Sequence, residues 1–192
     1  MAFAKTALIT GISGQDGSYL AEFLLARGYE VHGLVVKSDL DDPEHCLSRI
    51  FPNLSRLTLH AVPLDNYAGL RDLVERVQPQ ECYHLAAVSF VSYSSDNELA
   101  TFKTNIGGTH AVLLAVREGA PGCRLFFAAS SEMFGHADRS PQDENTLFRP
   151  RSVYGITKVT GFHLTRQARE QHGLYGCSGI LYNHESERRG RE

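Results

Sequence analysis

The feature that most constrains this chain is a short apolar run that empties into a glycine-rich turn. Ala7-Leu8-Ile9-Thr10 leads into Gly11-Ile12-Ser13-Gly14-Gln15-Asp16-Gly17. Tyr19, Leu20, Phe23 and Leu24 follow at helical spacing, and Gly28 supplies a C-terminal stop. A strand turning this sharply into a helix is a building block of α/β sheets. Glycine lets the backbone bend tightly and approach a pyrophosphate, while the helix N-terminus offers unpaired N–H groups to the anion. With 17 glycines in the chain, a purely structural turn is the competing reading.

The same rhythm continues downstream. Strand-like runs are Val31 to Val36, Leu57 to Leu59, Cys82 to Ala87, Leu125 to Ala129 and Ser178 to Tyr182. Helical patterns lie between them at Leu70 to Val77 (stopped by Pro79), Glu98 to Glu118 and Val153 to Gln171. Segment 38–56 is polar and proline-containing, and reads as a loop. Such alternation predicts a parallel sheet covered by helices on both faces. The length of 192 residues suits one domain.

Composition narrows the function classes. A formal net charge of -3 gives no bulk attraction to nucleic acid or an anionic membrane. No stretch approaches the roughly 20 apolar residues of a membrane span, and no signal peptide is evident, so the expected location is the cytoplasm. Cys46, Cys82, Cys123 and Cys177 are scattered without a C-x-x-C pair, and the histidines lack metal-ligand spacing, so neither a disulfide framework nor a metal is expected. Cys82 and Cys123 sit in apolar runs and read as small buried hydrophobes.

Three further strings carry chemistry. After the second strand stand Lys37-Ser38 rather than the acid that holds a ribose 2′-hydroxyl. A cation and a hydroxyl suit a 2′-phosphate, hence NADP, although Asp39, Asp41 and Asp42 follow closely and NAD stays open. Tyr154 and Lys158 lie one helical turn apart and share a face, where an ammonium favours the phenolate; a surface Tyr/Lys pair is the bland alternative. Ser130-Ser131-Glu132-Met133-Phe134-Gly135 falls beyond the carboxyl end of a strand, where ligands of parallel sheets bind. If the extended backbone persists, Ser130 and Glu132 point the same way and can bond a substrate and move protons; a helix cap or polar loop is the alternative.

Glycine turn, Ser130 strand end and Tyr154/Lys158 helix occur in the order of the extended short-chain dehydrogenase/reductase family, which the chain resembles. Leu85-Ala86-Ala87, Asn105 with Gly108-Thr109, and Pro150-Arg151-Ser152 before Tyr154 add to the likeness. Within that family, Gly11 to Leu25, Ser130 to Gly135 and Asn183-His184-Glu185-Ser186-Glu187-Arg188-Arg189-Gly190 are similar to signature strings of the GDP-mannose 4,6-dehydratases. The resemblance implies an α/β, Rossmann-type doubly wound parallel sheet. It makes residues 1–192 the dinucleotide-binding domain, with a substrate-binding region beginning near 183 and the smaller C-terminal domain largely absent. It further implies a lyase that takes GDP-mannose to GDP-4-keto-6-deoxymannose through bound NADP.

Site roles follow from the same resemblance. Tyr154 would deprotonate the sugar 4-hydroxyl as hydride leaves carbon 4, and Lys158 would hold the nicotinamide ribose and lower the tyrosine pKa. Glu132 would remove the carbon-5 proton and help the 6-hydroxyl leave, and Ser130 would polarise the carbonyl. Cofactor contacts would come from Gly11, Ile12, Ser13, Gly14, Gln15, Asp16, Lys37, Ser38, Leu64, Leu85, Ala86, Ala87, Ser89, Lys158, His184 and Arg189, and a substrate contact from Asn183. The expected partners are the nucleotide sugar and further copies of the chain, as a dimer or tetramer; neither nucleic acid nor membrane is expected. The chain departs from the pattern at Val36 (an arginine in the family), Pro63 (an aspartate), Ala100 (a tyrosine) and Glu187 (a proline), and its 38–56 loop is shorter. Val36 removes a 2′-phosphate contact and so weakens the NADP preference, Pro63 removes a contact to the adenine amino group, and the loop bears on tetramer contacts. Two other readings stand beside the dehydratase: an epimerase or reductase acting on a related nucleotide sugar, and a cofactor-binding chain without catalysis.

Overall fold

The computed structural model describes residues 4–42, 47–89 and 97–189, apart from the side chain of Phe51. Cys46 and Gly190, both singled out in the sequence, lie outside the described residues. Six strands form one parallel sheet: β1 (Thr6–Thr10), β2 (Glu30–Leu34), β3 (Leu57–His60), β4 (Glu81–His84), β5 (Arg124–Ser130) and β6 (Gly176–Leu181). Their spatial order is β3-β2-β1-β4-β5-β6, with every described pair parallel. The order reverses between β1 and β4, so their carboxyl ends open a crevice where ligands of such sheets bind.

The helices are α1 (Gln15–Ala26), α2 (Tyr67–Val77), α3 (Glu98–Phe102), α4 (Gly108–Gly119) and α5 (Val153–His172). A π-helical turn, Lys103–Gly107, joins α3 to α4. Two cores flank the sheet. On one face Leu24 and Leu25 of α1 pack with Ile9, Ile12, Val31, Leu47 and Ile50. On the other, Leu70, Leu73 and Val74 of α2 and Val112, Ala115 and Val116 of α4 meet Leu8, Leu125 and Phe127. Cys82 and Cys123 are buried in this second core, as their apolar surroundings predicted. Burying a side chain such as Leu73 or Phe127 contributes about 2 kcal/mol.

The helix after the glycine turn forms as expected, and two other local expectations, on the 38–56 segment and on the strand ends, are corrected. α1 buries Gly17, Ser18, Ala21, Leu24 and Leu25, while Tyr19 and Phe23 are exposed. Both rings are covered by cations instead: Arg188 lies 4.2 Å from the Tyr19 centroid and Arg27 lies 4.0 Å from that of Phe23. The 38–56 loop contains two 3-10 turns, Lys37–Leu40 and Phe51–Arg56. Strands β2 and β4 end earlier than the apolar runs suggested, at Leu34 and His84. Val35 N still donates to His60 O and Leu85 N to Thr10 O, at 3.1 and 3.2 Å, and Val35 stays buried in the first core.

Candidate active site

The glycine turn sits at the carboxyl end of β1. Gly11 has φ +73°, and a Cβ there would come within 2.9 Å of Ala86 Cα, so the turn needs glycine to pass β4. Gly17 is tighter still: a Cβ would meet the Gly11 carbonyl oxygen at 2.2 Å. The Gly14 N–H closes the turn on Gly11 O at 3.0 Å, and Ser18 N donates to Gly14 O as the helix begins. The leading N–H groups of α1 are left without helical acceptors, the arrangement that receives a pyrophosphate. Ile12, expected among the cofactor contacts, is instead wholly buried in the core, where its side chain fills the space over Gly33. Gln15 Oε1 is buried without a hydrogen-bond partner among the described residues. A cradle closed to any Cβ, free helical N–H groups and an orphaned oxygen together fit a dinucleotide.

The β4 side of the crevice is fixed by a buried polar relay. Ala86 N–H donates to Thr10 Oγ1 at 3.1 Å, and Thr10 Oγ1 lies 2.7 Å from His84 Nδ1. His84 Nε2 lies 2.9 Å from Thr109 Oγ1, which donates to Asn105 O at 2.6 Å. Because Thr109 has one proton and gives it to that carbonyl, Nε2 must carry the imidazole hydrogen and Nδ1 must accept from Thr10. Burial, and secondarily the charge of Lys158, hold His84 neutral by lowering its pKa to about 3. Asn105 extends the relay: its Oδ1 accepts from Val88 N at 2.8 Å, and its Nδ2 donates to Val88 O at 3.0 Å and Thr157 Oγ1 at 3.1 Å. The segment Leu85–Ser89 is thereby tied both to β1 and to the helix that carries Tyr154. Sequence reading missed this relay, since Thr10 and His84 are 74 residues apart; the polar residues inside apolar runs were the available sign.

The second half of the site lies past β5. Ser130 is buried at the strand end, but the extended backbone stops there. Ser131–Met133 form a 3-10 turn, and the Ser130 hydroxyl accepts from Glu132 N at 3.2 Å. Ser130 and Glu132 therefore do not share a strand face as expected; the turn separates their directions. Glu132 is exposed and accepts a hydrogen bond from Ser152 Oγ at 3.4 Å. Ser152 is also the N-cap of α5, accepting from Gly155 N at 3.0 Å. One serine thus starts the helix that carries Tyr154 and holds the carboxylate beside it.

Tyr154 and Lys158 do share a face of α5. Burial raises the Tyr154 phenol above its ordinary value, opposed by a hydrogen bond from Ser130 and reinforced by the negative charges of Glu132 and Asp16. This is the reverse of the lowering expected from the lysine. Lys158 Nζ lies 5.5 Å from the tyrosine ring centroid and donates instead to Ala128 O at 2.7 Å, and burial lowers its own pKa to about 8. Asp16, on α1, is thus among the charges that act on Tyr154, on α5.

The remaining predicted residues lie around this crevice. Lys37 and Ser38 are exposed in the 3-10 turn after β2, and Ser89 is exposed beyond β4. Leu64 is half-buried and rests against Gly108, where a Cβ would come within 2.9 Å of its own. Asn183 is exposed just past β6. His184 and Arg189 belong to a segment strapped across the start of α1. Both His184 nitrogens face acceptors, Tyr182 O and Asp16 Oδ1, each at 2.7 Å, which favours the imidazolium and raises its pKa, Asp16 being the main cause. Gln15 Nε2 and Arg189 Nη1 both donate to His184 O, at 3.1 and 3.0 Å. Arg188 pairs with Glu22 of α1, and Arg49 Nε donates to Arg188 O at 2.7 Å. This strap was invisible in the sequence, because Asp16 and His184 are 168 residues apart.

Comparison with known proteins agrees with this architecture. A GDP-mannose 4,6-dehydratase from Yersinia enterocolitica is 41% identical over 97% of this chain and 51% of its own length. GDP-mannose 4,6 dehydratase 1 of Arabidopsis thaliana is 42% identical over 97% of this chain and 54% of its own. The chain thus spans about half the length of the curated relatives it matches. Among solved structures, a dTDP-glucose 4,6-dehydratase from Streptomyces venezuelae, determined with NAD and TYD bound, superposes with a TM-score of 0.79 at 23% identity, covering 90% of this chain and 54% of that one. The UDP-glucose 4-epimerase of Brucella ovis, determined with NAD, gives 0.78 at 23% identity, covering 91% and 51%. Both share the fold. The family model for GDP-mannose 4,6 dehydratase matches residues 8–192, and the chain belongs to that family.

Proposed function

We propose that this chain carries the catalytic half of a nucleotide-sugar 4,6-dehydratase acting on GDP-mannose. The observation that carries the reading is the carboxylate of Glu132 held by Ser152 at the foot of the Tyr154 helix. A simple 4-epimerase has no use for a carbon-5 base at that position, whereas elimination of water across carbons 5 and 6 requires one.

Tyr154 takes the proton of the sugar 4-hydroxyl, with Ser130 hydrogen-bonded to its phenol and placed to bond the oxygen that becomes a carbonyl. Lys158, whose Nζ lies 5.5 Å from the Tyr154 ring centroid, stabilises the phenolate with its positive charge. The ketone at carbon 4 acidifies the carbon-5 hydrogen, Glu132 removes it, and the same carboxyl protonates the departing 6-hydroxyl. A nicotinamide dinucleotide held on the glycine turn would supply the hydride acceptor and donor; the proton that Tyr154 took returns to carbon 5 as the hydride returns to carbon 6, so the net change is loss of water. Gly11, Ser13, Gly14, Gln15 and Asp16 would hold its pyrophosphate, Leu64, Leu85–Ala87 and Ser89 would contact the rest of it, and His184 and Arg189 would close over it. Lys37 and Ser38 favour NADP over NAD, and Asn183 is assigned to substrate. Residues 1–192 form the dinucleotide-binding unit, with substrate contacts beginning near 183. A cytoplasmic, homo-oligomeric enzyme is part of the same proposal.

The test is incubation of the chain with GDP-mannose and NADP+, followed by mass spectrometry of the sugar nucleotide. Loss of one water without net cofactor reduction is expected, and Glu132→Gln should keep cofactor binding while abolishing elimination. Full turnover by Glu132→Gln would remove the assigned base. Cofactor binding without any product from the unaltered chain would favour the non-catalytic reading.

A further inference from the structure

Lys158 is an awkward group to bury. The residue is 4% exposed, and among the described residues its hydrogen-bond acceptor is a backbone carbonyl, Ala128 O at 2.7 Å. An ammonium offers three donors, so one acceptor leaves most of the charge unanswered. The groups around it come from three elements. On its own helix the Tyr154 ring centroid is 5.5 Å away. From β4 comes His84, which is neutral and single-tautomer in the relay described above. From β5 comes Phe127, whose ring centroid lies 5.0 Å from Nζ. The charges of Glu132 and Asp16 reach Tyr154 on the crevice side.

Phe127 is fixed from below as well. Its ring contacts His84 at 5.8 Å between centroids and is itself 2% exposed. A Cβ at residue 161 would come within 2.3 Å of Phe127 Cζ, so the ring occupies the space that Gly161 leaves open. Tyr154, Lys158 and Gly161 stand at i, i+4 and i+7 on α5, a single helical face. The glycine admits the ring, the ring lies against the ammonium, and the ammonium sits beneath the phenol. The aromatic face carries negative quadrupole density, and its attraction for a cation grows as the cation is desolvated.

We propose that Phe127 is a positioning residue for the reaction: its ring, admitted by Gly161, holds the Lys158 ammonium charged and in place beneath Tyr154. The inference deepens the dehydratase reading, yet its core claim concerns this chain alone and can be tested without cofactor or substrate. The chain has few lysines, Lys5, Lys37, Lys103 and Lys158, so labelling with lysine carrying 13C at the ε position gives a sparse spectrum in which Lys158→Arg identifies the relevant signal.

Lys158 should titrate near 8 in the unaltered chain, because burial lowers it. In Phe127→Leu the loss of the π face should move the midpoint down by roughly half to one pH unit, while circular dichroism still shows a folded chain. An unchanged midpoint in the folded variant, or a rise as water enters the vacated space, would overturn the proposal. If Phe127→Leu loses its cooperative melt, Phe127→Met, nearer in volume, carries the same expectation and the same refutation. Should the dehydratase reading fail while the midpoint falls, the positioning of Lys158 by Phe127 stands independently.

Discussion

Replacing Asn105 with alanine should weaken the fold and loosen one wall of the crevice together. The amide makes three bonds, to Val88 N at 2.8 Å, Val88 O at 3.0 Å and Thr157 Oγ1 at 3.1 Å, and the residue is 4% exposed. Each lost bond costs about 1 kcal/mol, and stranding the Val88 N–H and carbonyl raises the cost to about 3–4 kcal/mol. Val88 is only half-buried, so water satisfies part of its demand, which argues for the lower end of that range. For a chain of this length each kcal/mol lowers Tm by about 2–4 °C, giving a fall of roughly 6–16 °C. Thermal unfolding followed by circular dichroism measures it, with Thr157→Val as a comparison that removes one of the three bonds and should melt only a few degrees below the parent. Because Val88 follows Leu85–Ala87, Asn105→Ala should also weaken dinucleotide binding by calorimetry. A fall below about 2 °C, or one no larger than that of Thr157→Val, would refute the assignment of Asn105 as the tie between the β4 exit and α5.

Two further outcomes follow from the same geometry. The Lys158 pKa is depressed from 10.5 to about 8, so between these values the unfolded chain binds the extra proton and stability rises with pH. Lys158→Met should abolish that rise and stabilise the chain at pH 7 by up to about 3 kcal/mol, read as Tm against pH for both proteins; identical pH profiles would contradict the burial of a charged lysine. Gly17→Ala would place a methyl 2.2 Å from the Gly11 carbonyl, so the turn must open; dinucleotide binding should be lost and Tm lowered, and near-normal affinity in a calorimetric titration would show that the cradle tolerates a side chain.

How much of this was legible beforehand depends on the distance over which each feature is determined. The strand–glycine–helix unit is local, and Ala7 to Gly17 announced it. Tyr154 and Lys158 were legible for the same reason, as helical periodicity fixes their common face. Ser130 and Glu132 were placed in the right loop but given the wrong geometry, because a two-residue alternation carries no information about a turn that starts between them. The spacing of Tyr19, Leu20, Phe23 and Leu24 announced the α1 helix but not its buried face, since Arg188 and Arg27 lie over Tyr19 and Phe23 at the surface. The Thr10–His84–Thr109 relay, the His184 strap and the Phe127–Gly161 contact join residues from distant elements, and no local pattern encodes such meetings. Tyr154 shows the energetic version of that limit. Pair spacing predicted a phenol eased toward ionisation by its lysine, whereas burial, a property of the whole fold, moves it the other way.

The π-helical turn at Lys103–Gly107 bears on how this chain can change by insertion and deletion. Such a turn amounts to one residue more than an α-helix needs over the same rise. Removing a single residue there would restore an unbroken α-helix from Glu98 to Gly119, which by itself is no burden. The geometric consequence concerns phase: the extra residue is taken up within the turn, so Glu98–Phe102 and α4 would keep their relative rotation after such a deletion, whereas removing a residue inside α4 would turn everything before it by about 100° relative to everything after it. A deletion within α4 would therefore rotate part of the buried stripe Val112, Ala115 and Val116 out of the core. Within the turn the cost is local, and it falls on Asn105, whose amide reaches Val88 and Thr157. Length variation of one residue among functional sequences should therefore be better tolerated at residues 103–107 than within 108–119, provided that Asn105 is kept.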